Sequence, residues 1–546
     1  MIDSKYVKEA LLKFNYLPLQ KDKNEELPDL FSSELFSASV CDELVAIELR
    51  KGGYDHLNYF ATRFNNVHRQ LSVPHPLAYA HLVNHISENW SKFSHIEENG
   101  NSIIRPTEHS DGRIIIMTYE RSKEKTKRYQ DGVRGNKFIV HSDISNFYPS
   151  LYTHSIPWAL LGVDEAKQNT DSGPENKLDT LQRMTKRNET MGIAIGPGTS
   201  NIVSELILFE VDKALTDEGF EFYRFIDDYT AFCSTYEQSE KFIRVLAEQL
   251  SKFGLLLNIK KTEIKKQPQV SAATWVSDLG SRFSQRIKVS EHYCNRMLDY
   301  AVDLQEKNSD GSILKYTIKS LIKKASPAGK KALLEYTSNL SMHYPVLLPL
   351  LNQLLPTVRC KHNDKYYQSI LAALQECTIN KNSDGIVWCL YYIKKYYGSE
   401  LPEVTAQDIV ATKDCLSITM LTLYQEHETK AVNFAKDIMS KSIFEIDQYW
   451  ILLYQLYFNK KINNPYKDPE KYHNLSKKRN GEINEGRAQS WSNHDAKSFD
   501  VLRRNKVTFI DLKALSLPKM PKTSWIKSIV SKASKRLVKK VEENVT

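Results

Sequence analysis

The chain has 546 residues, 41% of them hydrophobic and 26% charged, with a formal net charge of +9. That length calls for about two to four structural units, and the composition is that of a globular protein rather than a disordered or fibrous one. No run of about 18 apolar residues occurs, which excludes an α-helical membrane span. The N-terminus (Met1-Ile2-Asp3-Ser4-Lys5) lacks the basic-then-apolar order of a secretion signal, so a cytoplasmic protein is expected. None of the seven cysteines forms a C-x-x-C pair, which argues against a zinc ribbon.

Residues 1–100 read as a mainly helical N-terminal region. Leu44-Val45-Ala46-Ile47-Glu48-Leu49 is apolar up to Gly52-Gly53, and Leu77 to Trp90 has helical spacing after Pro74-His75-Pro76. Residues 103–134 predict a hairpin, with Ile114-Ile115-Ile116-Met117 as a strand followed by a basic run (Arg121, Lys123, Lys125, Lys127, Arg128). Phe138-Ile139-Val140 reads as a buried strand that delivers Asp143 at its end. Thr199 or Ser200 is placed to cap a helix with Val203, Ile207, Val211 and Leu215 on one face. Residues 220–226 and 229–233 predict two strands meeting at Asp227-Asp228. A further helix carries Phe242, Val245, Leu246, Leu250 and Phe253 and stops at Gly254. Residues 101–268 are therefore expected to form an α+β unit. Residues 269–462 read as successive helices (312–325, 366–377, 384–397, 429–441 and 446–459), and residues 463–546 as a polar linker and basic tail. Residues 501–546 hold twelve lysines and arginines against three acids, the whole of the chain's positive excess. A polyanion is the natural partner of such a tail, with Arg503, Arg504, Lys535, Arg536, Lys539 and Lys540 as candidate nucleic-acid ligands.

Four segments of the middle region carry chemistry: 141–148, 192–201, 225–228 and 257–262. Asp227-Asp228 in a hairpin turn, faced by Asp143 at a strand end, would repel one another by about 4 kcal/mol per pair at ~4 Å and an effective dielectric near 20. Such a cluster is tolerable when it holds divalent cations, and an all-oxygen donor set favours Mg²⁺. Asp143, Asp227 and Asp228 are the candidate metal ligands of a site that joins nucleotides. Tyr148 is placed to lie against the sugar of an incoming dNTP and exclude a 2′-OH. Gly196, with Gly192 and Gly198, would let backbone approach a nucleotide or template, and Lys261 would meet phosphate.

In this order, the four segments resemble motifs A to D of reverse transcriptases over about residues 100–265. The whole chain most resembles the bacterial abortive-infection (Abi-type) or defence-associated branch of that family. The likeness rests on Arg63-Phe64-Asn65-Asn66-Val67-His68-Arg69 with Val73-Pro74-His75-Pro76, and on Asn146-Phe147-Tyr148-Pro149-Ser150-Leu151-Tyr152. Asp384-Gly385-Ile386-Val387-Trp388 and Asp414-Cys415-Leu416 also resemble that branch. The resemblance implies reverse-transcriptase fingers and palm followed by an all-helical, HEAT-like domain in place of a thumb. It implies Mg²⁺-dependent DNA synthesis in anti-phage defence, a tyrosine as primer (Tyr54 and Tyr59 are named candidates), homo-oligomers, and in some relatives a structured non-coding RNA. Ile195 stands where most templated relatives carry glutamine, and Ser200-Asn201 where they carry Ser-Pro, so template gripping by this loop is not implied. The first reading is therefore a polymerase templated weakly or, as a template-independent enzyme, not at all. Two alternatives remain: an RNA-templated enzyme copying a dedicated RNA, and an inactive nucleic-acid-binding scaffold.

Overall fold

A computed structural model describes residues 1–517 apart from 19–24, 64–66, 118–121, 169–172, 271–272, 285, 287, 309–311, 362 and 399–400. After α1 (Ser4–Lys13), the chain forms an antiparallel ribbon of β1 (His56–Thr62) and β2 (His68–Pro74), then α2 (Pro76–Glu88). The ribbon was not expected in a region that reads as helical. Its strands bury Leu57, Tyr59, Leu71 and Val73 on one face and His56, Thr62 and Ser72 on the other, so the apolar alternation in sequence is short and broken by polar residues that are themselves buried.

The hairpin expected over residues 103–134 is reduced to a tight loop, in which the Thr107 N–H donates to the Ile114 carbonyl (3.0 Å) and the His109 N–H to the Arg113 carbonyl (3.1 Å), and no strand forms there among the described residues. Ile114 and Ile115 are buried, but their N–H groups donate to Asn15 Oδ1 (2.9 and 3.3 Å) and the Ile115 carbonyl accepts from Asn15 Nδ2 (2.9 Å). The basic run is largely helical instead, in α3 (Ser122–Gly132); Arg121 lies outside the described residues.

The second sheet matches expectation. β3 (Phe138–Asp143), β4 (Glu221–Phe225), β5 (Asp228–Cys233) and β6 (Glu263–Lys266) lie in the order β4-β5-β3-β6, all antiparallel. The register sets Asp143 opposite Asp228, His141 opposite Thr230, Tyr223 opposite Thr230 and Phe225 opposite Asp228. Side chains alternate along a strand, so these six share one face. The other face (Val140, Phe222, Tyr229, Ala231, Cys233) is buried beneath two helices, α4 (Gly198–Asp217) and α5 (Tyr236–Ser251). The α5 helix starts where Thr235 Oγ1 accepts from Gln238 N–H (3.1 Å), and it buries Phe242, Leu246 and Leu250 at four-residue spacing. The α4 helix begins one residue before the expected caps, after Pro197, and no side chain caps it.

Beyond β6 the described chain is helical, including α6 (Lys365–Ile379), α7 (Ser383–Tyr397), α8 (Cys415–Leu421) and α9 (Trp450–Phe458). The region expected as a polar linker is folded: residues 469–476 are helical and α10 (Glu485–Arg504) packs into the core through Trp491, Phe499 and Leu502. Its hydrophobic period is hidden because the buried face also carries Asp495 and Ser498. Arg50 Nη1 donates to Asp495 Oδ2 (2.8 Å) and Arg50 Nη2 to Asp447, with all three side chains fully buried. Residues beyond α10 return to the N-terminal region, where Ile510 bridges Phe31. No helix among the described residues is long and apolar enough to cross a membrane.

Candidate active site

The three carboxylates are delivered by backbone register. β3 ends at Asp143, β5 opens at Asp228 directly opposite, and Asp227 sits with Ile226 in the two-residue turn between β4 and β5. The Ile144 N–H donates to the Asp227 carbonyl (3.2 Å), and the Asn258 N–H to the Asp143 carbonyl (2.7 Å), stitching the segments together. Asp143 Oδ1 accepts from Asn258 Nδ2 (3.0 Å) and Oδ2 from Lys261 Nζ (2.8 Å). Burial, and then the Asp143 charge, raises the Asp227 carboxyl above the ordinary range. Burial followed by the charges of Asp227 and Asp143 pushes Asp228 up to about 7. Asp228 itself has an exposed surface, so the mutual repulsion is the part an added cation would relieve. The hydrogen bond to Asp143 holds Lys261 above its usual range, as a partial counter-charge. Among the described residues no three ligating side chains converge at metal-holding spacing. The donor chemistry nevertheless suits a hard divalent cation: three carboxylates, unsoftened by sulfur or nitrogen.

The turn is strained. Ile226 has φ +59°, a conformation that β-branched residues avoid. Arg224, fully buried, holds it: Nη1 donates to the Ile226 carbonyl (2.8 Å) and to Glu205 Oε1 (2.8 Å). Nη2 donates to Glu205 Oε2 (2.9 Å) and Asp212 Oδ2 (2.7 Å). Tyr229 Oη and Asn99 Nδ2 donate to the same Asp212 carboxylate (3.0 and 2.8 Å). The Ile226-Asp227 turn is therefore tied to α4 by a satisfied charge network. Sequence reasoning missed it, although Arg224 alternates onto the same face as buried Phe222 and so announces a paired charge.

Tyr148 is 6% exposed and its hydroxyl accepts from Asn201 Nδ2 (3.1 Å). Burial raises its pKa, and the charges of Asp227 and Arg69 act on it. Asn201, noted in sequence only as a departure from the family pattern, thus fixes the tyrosine. The glycine loop packs against protein. Gly196 (φ +136°) lies where a Cβ would meet the Ser72 carbonyl oxygen at 3.1 Å, and the Ser72 N–H donates to the Ile195 carbonyl (2.7 Å). At Gly198 a Cβ would lie 2.7 Å from Asn15 Cβ. These close approaches join β2 and the end of α1 to the start of α4, where an approach to nucleotide or template was expected.

The charge of Arg69, on β2, acts on both Asp227 and Tyr148 and opposes the rise of each. Beside Asp228, the open sheet face continues into a cavity of about 480 Å³ lined by Tyr223, Phe225, Thr230 and His141, with Lys125, Tyr129 and Lys265 at its walls.

Of the expected nucleic-acid ligands, Arg503 and Arg504 are elsewhere. Arg503 stacks over Tyr457 (4.5 Å) and lines a separate cavity with Lys460 and Lys467, while Arg504 pairs with Glu43. Lys535, Arg536, Lys539 and Lys540 lie outside the described residues. Tyr54 and Tyr59 are fully buried, donating to Asp495 Oδ1 (2.6 Å) and the Glu26 carbonyl (2.7 Å), and so are not solvent-reachable primers.

The reverse transcriptase (RNA-dependent DNA polymerase) family matches residues 79–276, so the chain carries a reverse transcriptase domain, a polymerase of the nucleotidyltransferase kind. No curated protein matches the sequence. Among solved structures, apo telomerase from Candida tropicalis is 10% identical, with 76% of this chain and 73% of that chain covered and a TM-score of 0.29. Telomerase from Candida albicans in complex with a TWJ fragment of telomeric RNA is 11% identical, with 75% and 67% covered and a TM-score of 0.27. Scores this low establish neither a common fold nor a common activity.

Proposed function

We propose that the reverse transcriptase domain of residues 79–276 is an active DNA polymerase that uses dNTPs and Mg²⁺. The observation that carries this reading is the register that sets Asp143 opposite Asp228 with Asp227 in the intervening turn. Asp143, Asp227 and Asp228 would hold the divalent ions, which when bound activate the attacking hydroxyl and stabilise the departing pyrophosphate. The protein's own groups bind and orient. Arg69 on one side and Lys261 on the other are the cations for the triphosphate. Tyr148, held by Asn201, lies under the sugar. The cavity beside Asp228 takes the strand being extended, with bases over Tyr223 and Phe225 and phosphates on Lys125 and Lys265.

Asp227→Asn and Asp143→Asn should each abolish incorporation of labelled dNTP while leaving the circular dichroism spectrum intact. Near wild-type synthesis by either variant would overturn the metal assignment.

The resemblance of residues 63–76 and 146–152 supports a role in anti-phage defence, with homo-oligomers and a protein tyrosine as primer. Tyr129 and Tyr223 are tyrosines set in the cavity beside Asp228. The second reading is RNA-templated synthesis on a dedicated non-coding RNA, favoured by the family description itself. Sequencing the product and any co-purifying nucleic acid separates the two: a faithful copy of one RNA supports the second, and random or homopolymeric DNA the first.

A further inference from the structure

The helical domain is built from successive hairpins. The helices α6, Glu403–Ala411 and Glu428–Met439 pack side by side, and α7, α8 and α9 form a second layer in the same order. Three turns lead from the first layer to the second, at residues 380–382, 412–414 and 440–442, the last through the short helix Ile443–Gln448. They therefore fall on one edge of the domain. They are bonded in series: Ser383 Oγ donates to Asp414 Oδ2 (2.6 Å), and Tyr449 Oη, just before α9, donates to the Lys413 carbonyl (2.9 Å). Each turn places a lysine at the same point. The N–H groups of Lys381, Lys413 and Lys441 each donate to the carbonyl three residues earlier, at the end of a helix (3.2, 3.1 and 2.9 Å).

All three lysines are exposed. Lys381 and Lys413 form no ion pair with a described residue, and Lys441 meets Asp437 (3.4 Å) in an exposed pair, a kind worth little. The acids of the turns are committed to neighbours. Asp384 accepts from the Thr62 N–H and Oγ1, Asp414 from Ser383 and Ser417, and Glu445 closes a capping box on Ser442. A cation beside a helix C-terminus gains from the helix dipole, which accounts for a lysine there. The backbone needs another reason: Lys381 and Lys413 have φ of +55° and +58°, where glycine or asparagine is favoured. Twice in succession the chain holds a long cation in a conformation that resists it. The row also leads toward the palm. Phe444, three residues beyond Lys441, lies under the Arg187 guanidinium (5.0 Å), and Lys186 donates to the Met191 carbonyl (2.5 Å) beside Gly192.

We propose that Lys381, Lys413 and Lys441 form a track for the sugar-phosphate backbone of a single nucleic-acid strand. Packed helices lie about 8–10 Å apart, so successive lysines follow at a step that a flexible strand can match. Such cations hold phosphate without reading sequence. The track is separate from the cavity beside Asp228, and a strand binds it without any catalysis.

The test is filter binding of labelled single-stranded DNA and RNA of mixed sequence by the full chain at several salt concentrations, with melting temperature measured alongside. Lys381→Gln, Lys413→Gln and Lys441→Gln combined should weaken binding and flatten the slope of log K against log salt by about 2, since each lost single-strand phosphate contact is worth about 0.7. Lys381→Arg, Lys413→Arg and Lys441→Arg combined should keep the wild-type slope, because the charge remains. Lys381→Gly with Lys413→Gly should flatten the slope by about 1.4. It should also leave the melting temperature at or above the wild-type value, because glycine suits the positive φ, so it separates lost contacts from lost folding. A wild-type slope in the triple glutamine variant overturns the track, whatever its melting temperature. A wild-type slope in the double glycine variant, with lowered melting temperature in the glutamine variant, overturns it too and leaves the lysines as helix-end cations. Flattening with RNA but not DNA, or the reverse, supports the track and names the strand it carries.

Discussion

Tyr148 stands where three independent segments meet. Its own backbone carbonyl accepts from the Ile193 N–H (3.0 Å), its hydroxyl accepts from Asn201, and Asp227 lies within electrostatic reach. A ring held at both ends is a rigid wall, and a rigid wall discriminates by size. Tyr148→Ala should therefore raise incorporation of rNTP relative to dNTP by at least roughly tenfold, since a hydroxyl-sized clash is worth more than ~1.4 kcal/mol. Competition between labelled ATP and dATP measures it, and an unchanged ratio would return Tyr148 to a core role. At this scale the sequence was informative where chemistry is improbable by chance. Adjacent aspartates between strands, faced by a third, are such a case. It was silent about Arg224, Glu205 and Asp212, because a buried charge is recognised by partners that only the folded chain brings near. Arg69 illustrates the same limit: the letters around it carried a resemblance, but its role depends on which way β2 faces.

Among elements, the palm sheet and its two covering helices were legible because each has a clean period and a clear stop. The β1–β2 ribbon was not, because its alternation is short and broken by polar residues, nor was the run at Ile114, where the side chain of distant Asn15 satisfies part of the backbone. The helical half was legible as helices, but its packing was not. Gly385 shows why: a Cβ there would lie 2.3 Å from Cys377 Sγ and 3.0 Å from Cys377 Cβ, so α6 and α7 meet at a glycine that reads in sequence as a poor helix former. Gly385→Ala should destabilise the protein by roughly 1–3 kcal/mol through overpacking, despite its better helix propensity. Adding Cys377→Ala should recover part of that loss by removing the sulfur. Urea denaturation of the two single variants and the double checks this, and strictly additive losses would place the strain elsewhere.

For the whole molecule, the decisive correction concerns the C-terminal segment. Its charge suggested one electropositive tail from residue 501, but the structure divides it. Leu502, Val507, Phe509 and Ile510 are buried, and Phe509 packs edge-on against Trp450 with ring centroids 5.0 Å apart. Arg504 is spent on Glu43. Residues 501–517 therefore close the core between the N-terminal region and the helical domain, and composition alone could not separate them from residues 518–546. That last segment still holds eight lysines and arginines against two glutamates. Deleting from residue 501 should unfold the protein, whereas deleting from 518 removes none of these core residues and should leave the melting temperature unchanged. If the 518–546 segment binds nucleic acid, that shorter deletion should also flatten the dependence of log K on log salt by about 0.7 to 0.9 for each phosphate the segment neutralises, and weaken binding across all sequences alike. Filter binding of single-stranded and duplex DNA at several salt concentrations measures both quantities. Equal slopes with and without residues 518–546 would remove the tail from the nucleic-acid interface and leave the cavity wall of Lys125 and Lys265, with the lysines of the helical turns, as the basic surface that meets the strand.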